Sequence, residues 1–190
     1  VAAYPEKHFE AIDFDTDFEY LKKKVELGAD YIVTQMFFDN SKYFEFVNRC
    51  RTEGINVPII PGLKPLSTKK QLSVLPRIFY LHLPDEFVKA VESCENDAQA
   101  KQVGIEWCTQ QCRELMAFGA PVLHFYTMGK SDNIYKIASQ LFWKSIYRQV
   151  RMTKAAFQRL LSLIGFIRGI IYLQFDEYRL FLWFLLWEWQ

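Results

Sequence analysis

The sequence predicts an α/β domain built on a parallel sheet, and three observations carry that prediction. Short runs rich in β-branched and aromatic residues alternate with amphipathic stretches throughout residues 1–142. The runs are apolar at consecutive positions, as strands buried on both faces are. Polar or reactive side chains then collect directly after the runs, at the carboxyl ends where parallel α/β folds bind ligands.

The elements follow in order. Val1–Tyr4 reads as a strand already under way, so an N-terminal part is expected to be missing; no secretory signal pattern is visible. In residues 16–28, Phe18, Leu21 and Val25 form a helical stripe, with Asp15 or Thr16 as N-cap and Gly28 as the stop. The run 31–38 is the second strand. Asn40 or Ser41 opens a helix carrying Tyr43, Phe44 and Phe46 and ending near Gly54. Residues 57–60 form the third strand, Ser67 starts a helix with Leu72 and Leu75, and Pro84 sits at a helix N1 position. Residues 97–118 make the longest helix, with Val103, Trp107, Cys108 and Leu115 inward and Gly119 after it. The run 122–127 is the fourth strand, and a last helix follows Ser131. Four strands with helical crossovers make half of an eight-stranded barrel or most of a small doubly wound sheet.

Composition divides the chain at about residue 142. The 190 residues carry 32 aromatics, 20 in residues 1–142 and 12 in the last 48. Charge divides there too, with 16 basic against 19 acidic residues before and 7 against 3 after. The overall charge of +1 gives no basic field to recruit nucleic acid, so none is expected as a partner. Four scattered cysteines, Cys50, Cys94, Cys108 and Cys112, do not make a disulfide framework, and a cytoplasmic setting is expected. Cys108 and Cys112 share a helix face as a reduced core pair; with no third ligand nearby, no metal site is assigned.

Several residues have a bland and a sharp reading. His8, within reach of Tyr4 and Glu10, is a solvated loop histidine or a ligand contact; His124 is a hydrogen-bonded core residue, and His82 has no nameable partner. Lys22-Lys23-Lys24 is a solvated helix face or a cradle for a diphosphate. Gln35 is more telling. It ends an apolar strand, where an amide must find partners, and an amide both donates and accepts, as a pterin or flavin edge requires. No Gly-rich phosphate loop, nucleophile elbow or metal-ligand cluster is visible.

Taken together and in order, Val1-Ala-Ala-Tyr-Pro-Glu-Lys-His8, Asp17, Lys22–Val25, Gly28-Ala-Asp30, Thr34-Gln-Met-Phe-Phe-Asp39, Ile59-Ile-Pro-Gly-Leu-Lys-Pro65 and His124-Phe-Tyr-Thr127 resemble the methylenetetrahydrofolate reductase family. The resemblance covers residues 1–142 and implies strands five to eight of a flavin-binding (β/α)8 barrel. It implies that NADH or NADPH reduces bound FAD, which then reduces 5,10-methylenetetrahydrofolate to 5-methyltetrahydrofolate. Carried over by position, Tyr4, His8, Asp17, Lys23, Lys24 and Ala29 match FAD contacts. Gln35, Gln71, Leu75 and Lys130 match folate-side positions; Leu75 stands where some members have Phe, and Lys130 where others have an Asn-Arg pair. The resemblance also implies a homo-oligomer for the intact enzyme. The family's general-acid Glu belongs to the first strand, outside the matched part, so this chain is expected to be an inactive fragment with no catalytic residue of its own.

Residues 143–190 match nothing in that family and read as an unrelated, helical tail. Leu160–Leu173 and Leu180–Trp187 are strongly apolar but fall short of the roughly 18–20 residues that span a bilayer. The tail is a foreign extension, a basic aromatic helix pair on a membrane surface, or a partner-docking segment. The functional alternative is therefore a non-catalytic fragment or membrane-surface module governed by the tail.

Overall fold

The computed structural model describes residues 1–127 and 131–150 and two strands at 170–176 and 179–185, with side chains through Phe142. Four parallel strands lie side by side in chain order: β1 (Ala2–Ala3), β2 (Ile32–Met36), β3 (Ile59–Leu63) and β4 (Val122–Phe125). A doubly wound sheet reverses its strand order at a switch point, whereas a barrel adds each strand beyond the last. The order β1-β2-β3-β4 is therefore that of a partial TIM-barrel-like α/β fold.

The strand register explains one shift from the sequence reading. Pro61 and Gly62 look like strand breakers, yet β3 runs through both. The Gly62 N–H donates to the Thr34 hydroxyl at 2.9 Å, beside an irregularity in β2 between Val33 and Met36. A side-chain acceptor thus replaces a ladder bond and lets the strand continue.

Six helices are present among the described residues. In α1 (Phe14–Glu26) the N-cap is Asp13, whose carboxylate accepts the Thr16 N–H at 2.7 Å; the helix opens earlier than its apolar stripe indicates. Asp39 caps α2 (Asn40–Thr52) in the same way through Ser41. The helix expected from Ser67 is α3 (Gln71–Phe79). The Ser67 and Thr68 N–H groups fold onto the Gln71 side-chain oxygen, so residues 67–70 form a turn before it. Pro84 is the N-cap of α4 (Asp85–Glu92), one position outside the expected N1. The longest helix, α5 (Asp97–Phe118), has the predicted bounds, capped by Asn96 and ended by Gly119 in the left-handed region. Finally, α6 (Asp132–Val150) follows Ser131.

Two apolar clusters hold these elements. The first joins the sheet to α1, α2, α5 and α6 through residues such as Phe18, Ile32, Phe46, Leu115, Leu123 and Ile137. Cys108 and Cys112 lie inside it as free, buried thiols, and burial raises the Cys112 thiol well above its ordinary value. The second cluster caps the carboxyl ends of β2 and β3, and packs Met36, Phe38 and Leu66 against Leu75, Leu83 and Phe87. Polar bonds fasten α5 to this region. Trp107 Nε1 donates to the Phe38 carbonyl at 3.0 Å, and Asn40 and Gln111 bond to each other across buried space.

At Gly104 the α5 backbone passes against the loop after β3. A Cβ there would lie 2.9 Å from the Leu66 nitrogen and carbonyl carbon and closer still to its oxygen. Gly104→Ala gains about 1 kcal/mol of helix propensity but must push a backbone segment aside. The net result is a loss of about 2 kcal/mol, measurable by urea unfolding; unchanged stability would show that this contact is not tight.

The tail differs from its helical reading. Helix α6 does extend to Val150, but β5 (Ile170–Asp176) pairs antiparallel with β4, and β6 (Arg179–Leu185) pairs antiparallel with β5. The physical reason lies in the sequence: Ile170, Ile171, Tyr172, Phe175, Phe181, Trp183 and Phe184 are β-branched or aromatic residues. An apolar run of this length does not by its periodicity distinguish helix from strand. An unpaired β4 edge would also offer free backbone groups, which β5 takes up. No described helix is long and apolar enough to cross a membrane.

Candidate functional site

The carboxyl ends of β1 and β2 are flanked by two narrow crevices that share Tyr4. One lies between β1 and α1 and is lined by Ala3, Tyr4, Asp17, Leu21 and Lys24, with phenylalanine walls. The other lies between the ends of β1, β2 and α3 and is lined by Tyr4, Glu6, Lys7, Gln35 and Tyr80. Three of the expected cofactor residues thus meet in one crevice, and Tyr4 carries over to Gln35 in the next.

Local bonds set these side chains. The loop after β1 turns through Lys7, at φ 81°, whose ammonium donates to the Ala11 carbonyl at 2.6 Å. That turn brings the His8 N–H onto Asp17 Oδ2 at 2.8 Å and packs the His8 ring edge-on to Tyr4, 4.5 Å between centroids. His8 Nδ1 accepts the Glu10 N–H at 3.3 Å, so His8 is a half-buried, held residue rather than a solvated one. Burial raises the Tyr4 phenol above its ordinary value, helped by the negative charges of Asp17 and Glu10.

The lysine run does not act as one cradle. Lys22 pairs with Glu19 and Glu53 at 3.3 and 3.1 Å, and Lys23 sits over the Tyr20 ring at 5.3 Å. Only Lys24 lines the crevice, its ammonium 3.2 Å from the Ala2 carbonyl. Ala29 closes α1 by donating to the Lys24 carbonyl at 3.3 Å.

On the other side of Tyr4, the Gln35 oxygen accepts the Met36 N–H at 2.9 Å, leaving its two amide protons without a partner among the described residues. Gln71 spends its oxygen on the turn at Ser67, and Leu75 is buried in the second cluster; neither lines either of these two crevices. Lys130 lies outside the described residues.

Three features escaped the sequence reading. Glu6 is half-buried, and its Oε2 accepts the His82 N–H at 2.7 Å, which ties the β1 loop to the α3–α4 connection. Burial raises its carboxyl, with His82 and Lys42 opposing. Tyr80 takes a left-handed conformation at φ 53° and stacks on Phe9 at 5.1 Å, so Tyr4, His8, Phe9 and Tyr80 form a continuous row of rings. Glu6 was visible as part of a polar run, but nothing in the sequence marks Tyr80 or Lys7 as left-handed. Lys64, directly after β3, is buried with no hydrogen bond or ion pair among the described residues, and desolvation lowers its ammonium.

Parallel strands in barrel order, with polar and aromatic side chains gathered at their carboxyl ends, define a partial TIM-barrel-like α/β fold, the class that binds ligands at that edge. The chain belongs to the methylenetetrahydrofolate reductase family, whose model matches residues 1–142. It is 41% identical over 151 residues to methylenetetrahydrofolate reductase (NADH) 1 of Arabidopsis thaliana, covering 74% of this chain and 26% of that one. It is 37% identical over 142 residues to the 5,10-methylenetetrahydrofolate reductase of Salmonella typhimurium, covering 74% and 48%. A probable NADPH enzyme of Caenorhabditis elegans is 36% identical over 146 residues, covering 75% and 22%. The chain therefore spans between about a fifth and a half of the length of these relatives. One solved structure, a folate-binding Clostridium thermocellum protein, aligns at TM-score 0.47 and 20% identity over 62% of this chain and 40% of its own.

Proposed function

We propose that this chain supplies part of the site of a flavin-dependent reductase that converts 5,10-methylenetetrahydrofolate to 5-methyltetrahydrofolate at the expense of NADH or NADPH. The observation that carries the reading is the meeting, at Tyr4, of a crevice holding Asp17 and Lys24 with one holding Gln35. Family membership gives that geometry its chemistry. Relatives named for NADH and for NADPH both match, so the reductant is left as either nicotinamide.

The side chains have the chemistry of flavin contacts, and because each crevice holds only about 10 Å³ of free space, a flavin would have to open them. The first crevice has an ammonium, Lys24, suited to a phosphate, and an aromatic wall suited to a ring. The second has open amide protons on Gln35, which a heterocyclic carbonyl would accept. When bound, FAD would supply the hydride relay between nicotinamide and folate. In this reading Lys24 holds the diphosphate, with the adjacent Lys23 adding charge from beside it. Tyr4, His8 and Ala29 shape the cofactor wall, and Asp17 keeps His8 in place through its backbone. Gln35 orients the substrate ring and the crevice walls exclude water, while Gln71, Leu75 and Lys130 are assigned to the folate side by the family resemblance alone.

In this reading the chain by itself supplies ligand contacts, holds FAD weakly and does not turn over. Among the described strands β1 pairs only with β2, so the sheet does not close on that side. No described carboxylate is assigned the general-acid role. The four free thiols suit the reducing cytoplasm, and the intact enzyme is read as a homo-oligomer.

Flavin fluorescence gives the test. FAD titrated with the full chain is expected to bind saturably, and Lys24→Ala to bind about tenfold more weakly through loss of a charge-assisted contact. Equal binding by the variant would refute the assignment of Lys24.

A further inference from the structure

We propose that the groove between α2, α4 and α5 is a binding site for a flat organic cation, a guanidinium group on a short alkyl chain. The groove holds about 520 Å³, room for a small molecule, and shares no residue with the two crevices at Tyr4. It stands apart from the reductase reading, so either can fail without the other. Three carboxylates line it, Asp39, Glu86 and Glu114, together with the rings of Phe44 and Trp107. No Lys, Arg or His among the described residues lines it. Surface carboxylates are by default solvated, so this charge alone decides nothing. The deciding group is Gln111.

Gln111 is 5% exposed, and its hydrogen bonds fix which end of its amide faces outward. Its nitrogen donates to the Phe37 carbonyl and to Asn40 Oδ1, both at 3.3 Å. The Asn40 nitrogen donates in turn to the Gln111 backbone carbonyl at 3.2 Å and to Glu114 Oε2 at 2.7 Å. A carbonyl and a carboxylate can only accept, so neither amide can be turned over. The Gln111 side-chain oxygen is what remains. It accepts no hydrogen bond among the described residues, yet it is not fully covered, so it opens on the groove that its side chain lines. A nearly buried acceptor left over from an otherwise satisfied network calls for a donor from outside.

The same helix places the other contacts. Trp107, Gln111 and Glu114 fall at i, i+4 and i+7 of α5, on one face. The indole of Trp107 is held by its bond to the Phe38 carbonyl and by ring contact with Phe87 at 4.9 Å, which makes it a fixed wall. Each Glu114 oxygen takes one bond, from Gln110 or from Asn40, and keeps a further acceptor site. The face thus presents a ring, an amide oxygen and a carboxylate in sequence. A guanidinium answers all three, because it is flat, stacks on rings, and carries several N–H donors and no acceptor.

The probe is butylguanidinium, with butylurea as its flat, uncharged counterpart. Each is titrated into the nitrogen-15-labelled full chain while the Trp107 indole signal is followed. Butylguanidinium is expected to shift that signal saturably, with a Kd of about 1 mM or below, and butylurea to bind at least about tenfold more weakly. Gln111→Leu and Glu114→Gln should each weaken butylguanidinium by about tenfold. If Gln111→Leu does not fold, Glu114→Gln, at an exposed position, and the butylurea comparison decide. N-acetylarginine amide, titrated alongside, tells the source of the cation. Tighter binding than butylguanidinium marks a site for an arginine side chain of a peptide, and weaker binding a site for a free small cation. Equal affinity of wild type for the cation and the urea, unchanged affinity in either folded variant, or a Trp107 signal that the cation leaves unmoved would overturn the proposal.

Discussion

Gly62→Ala is expected to lower the stability of the chain by about 3 kcal/mol, the upper part of the range for inserting an atom into a packed site. A Cβ at this position in β3 would overlap the Thr34 carbonyl oxygen, which is backbone, and would lie 2.8 Å from Tyr126 Cε2. Neither neighbour is free to move. The Thr34 oxygen accepts the Tyr126 hydroxyl at 3.0 Å, and the Thr34 hydroxyl accepts the Gly62 N–H itself. Relief would therefore require β2, β3 and β4 to separate where their register brings Met36, Gly62 and His124 together. Chemical denaturation of the purified variant measures the effect. A loss below about 1 kcal/mol, the scale of simple propensity changes, would mean that the strands are not this close.

The second large effect is on pH. His124 is 2% exposed in β4, and burial drops its imidazole from about 6.5 to about 4. Between those values the unfolded chain holds a proton that the folded chain does not, so unfolding gains favour as pH falls. Stability from this group is fully present above about pH 6.5 and is lost progressively toward pH 4, by about 3 kcal/mol at 1.36 kcal/mol per unit. Glu6 acts in the opposite sense, because a raised carboxyl favours the folded state as pH falls. Comparing wild type with His124→Phe isolates the histidine. The difference between their denaturation free energies should change steeply between pH 6.5 and 4, and a flat difference would place the imidazole in a wetter setting than the fold implies.

Much of this architecture was readable because chain order and packing agreed with local pattern. Residues 97–118 show how: an apolar face and a glycine stop both point to one helix, and α5 has those bounds, with Asn96 as the cap the structure adds. Where a single signal had to decide, tertiary context won. Asp13 outcompeted Asp15 and Thr16 as a cap because its side chain reaches the Thr16 N–H. Pro61 and Gly62 stayed in β3 because Thr34 supplied an acceptor from another strand. The runs at 170–176 and 179–185 became strands because β4 had an edge to fill, a fact about the assembled sheet. Of the residues singled out as ligand contacts, Tyr4, Asp17 and Lys24 share one crevice and Gln35 lines the next, whereas the Lys22–Lys24 run points three ways because each ammonium found a different local partner. Glu6 and Tyr80 became visible only through a bond spanning 76 positions and a positive φ, neither of which has a one-dimensional signature.

The central claim is that the ends of β1 and β2 form one adjoining pair of ligand sites joined at Tyr4. Nitrogen-15 NMR of the full chain, with FAD and 5-methyltetrahydrofolate added separately and then together, tests it directly. The account predicts that FAD shifts the amide signals of Tyr4, His8, Asp17, Lys24 and Ala29, that the folate shifts the Gln35 side-chain amide, and that Tyr4 responds to both. Signals that move on the opposite face of α2 and α5 instead, or a folded chain whose spectrum ignores both ligands, would contradict it.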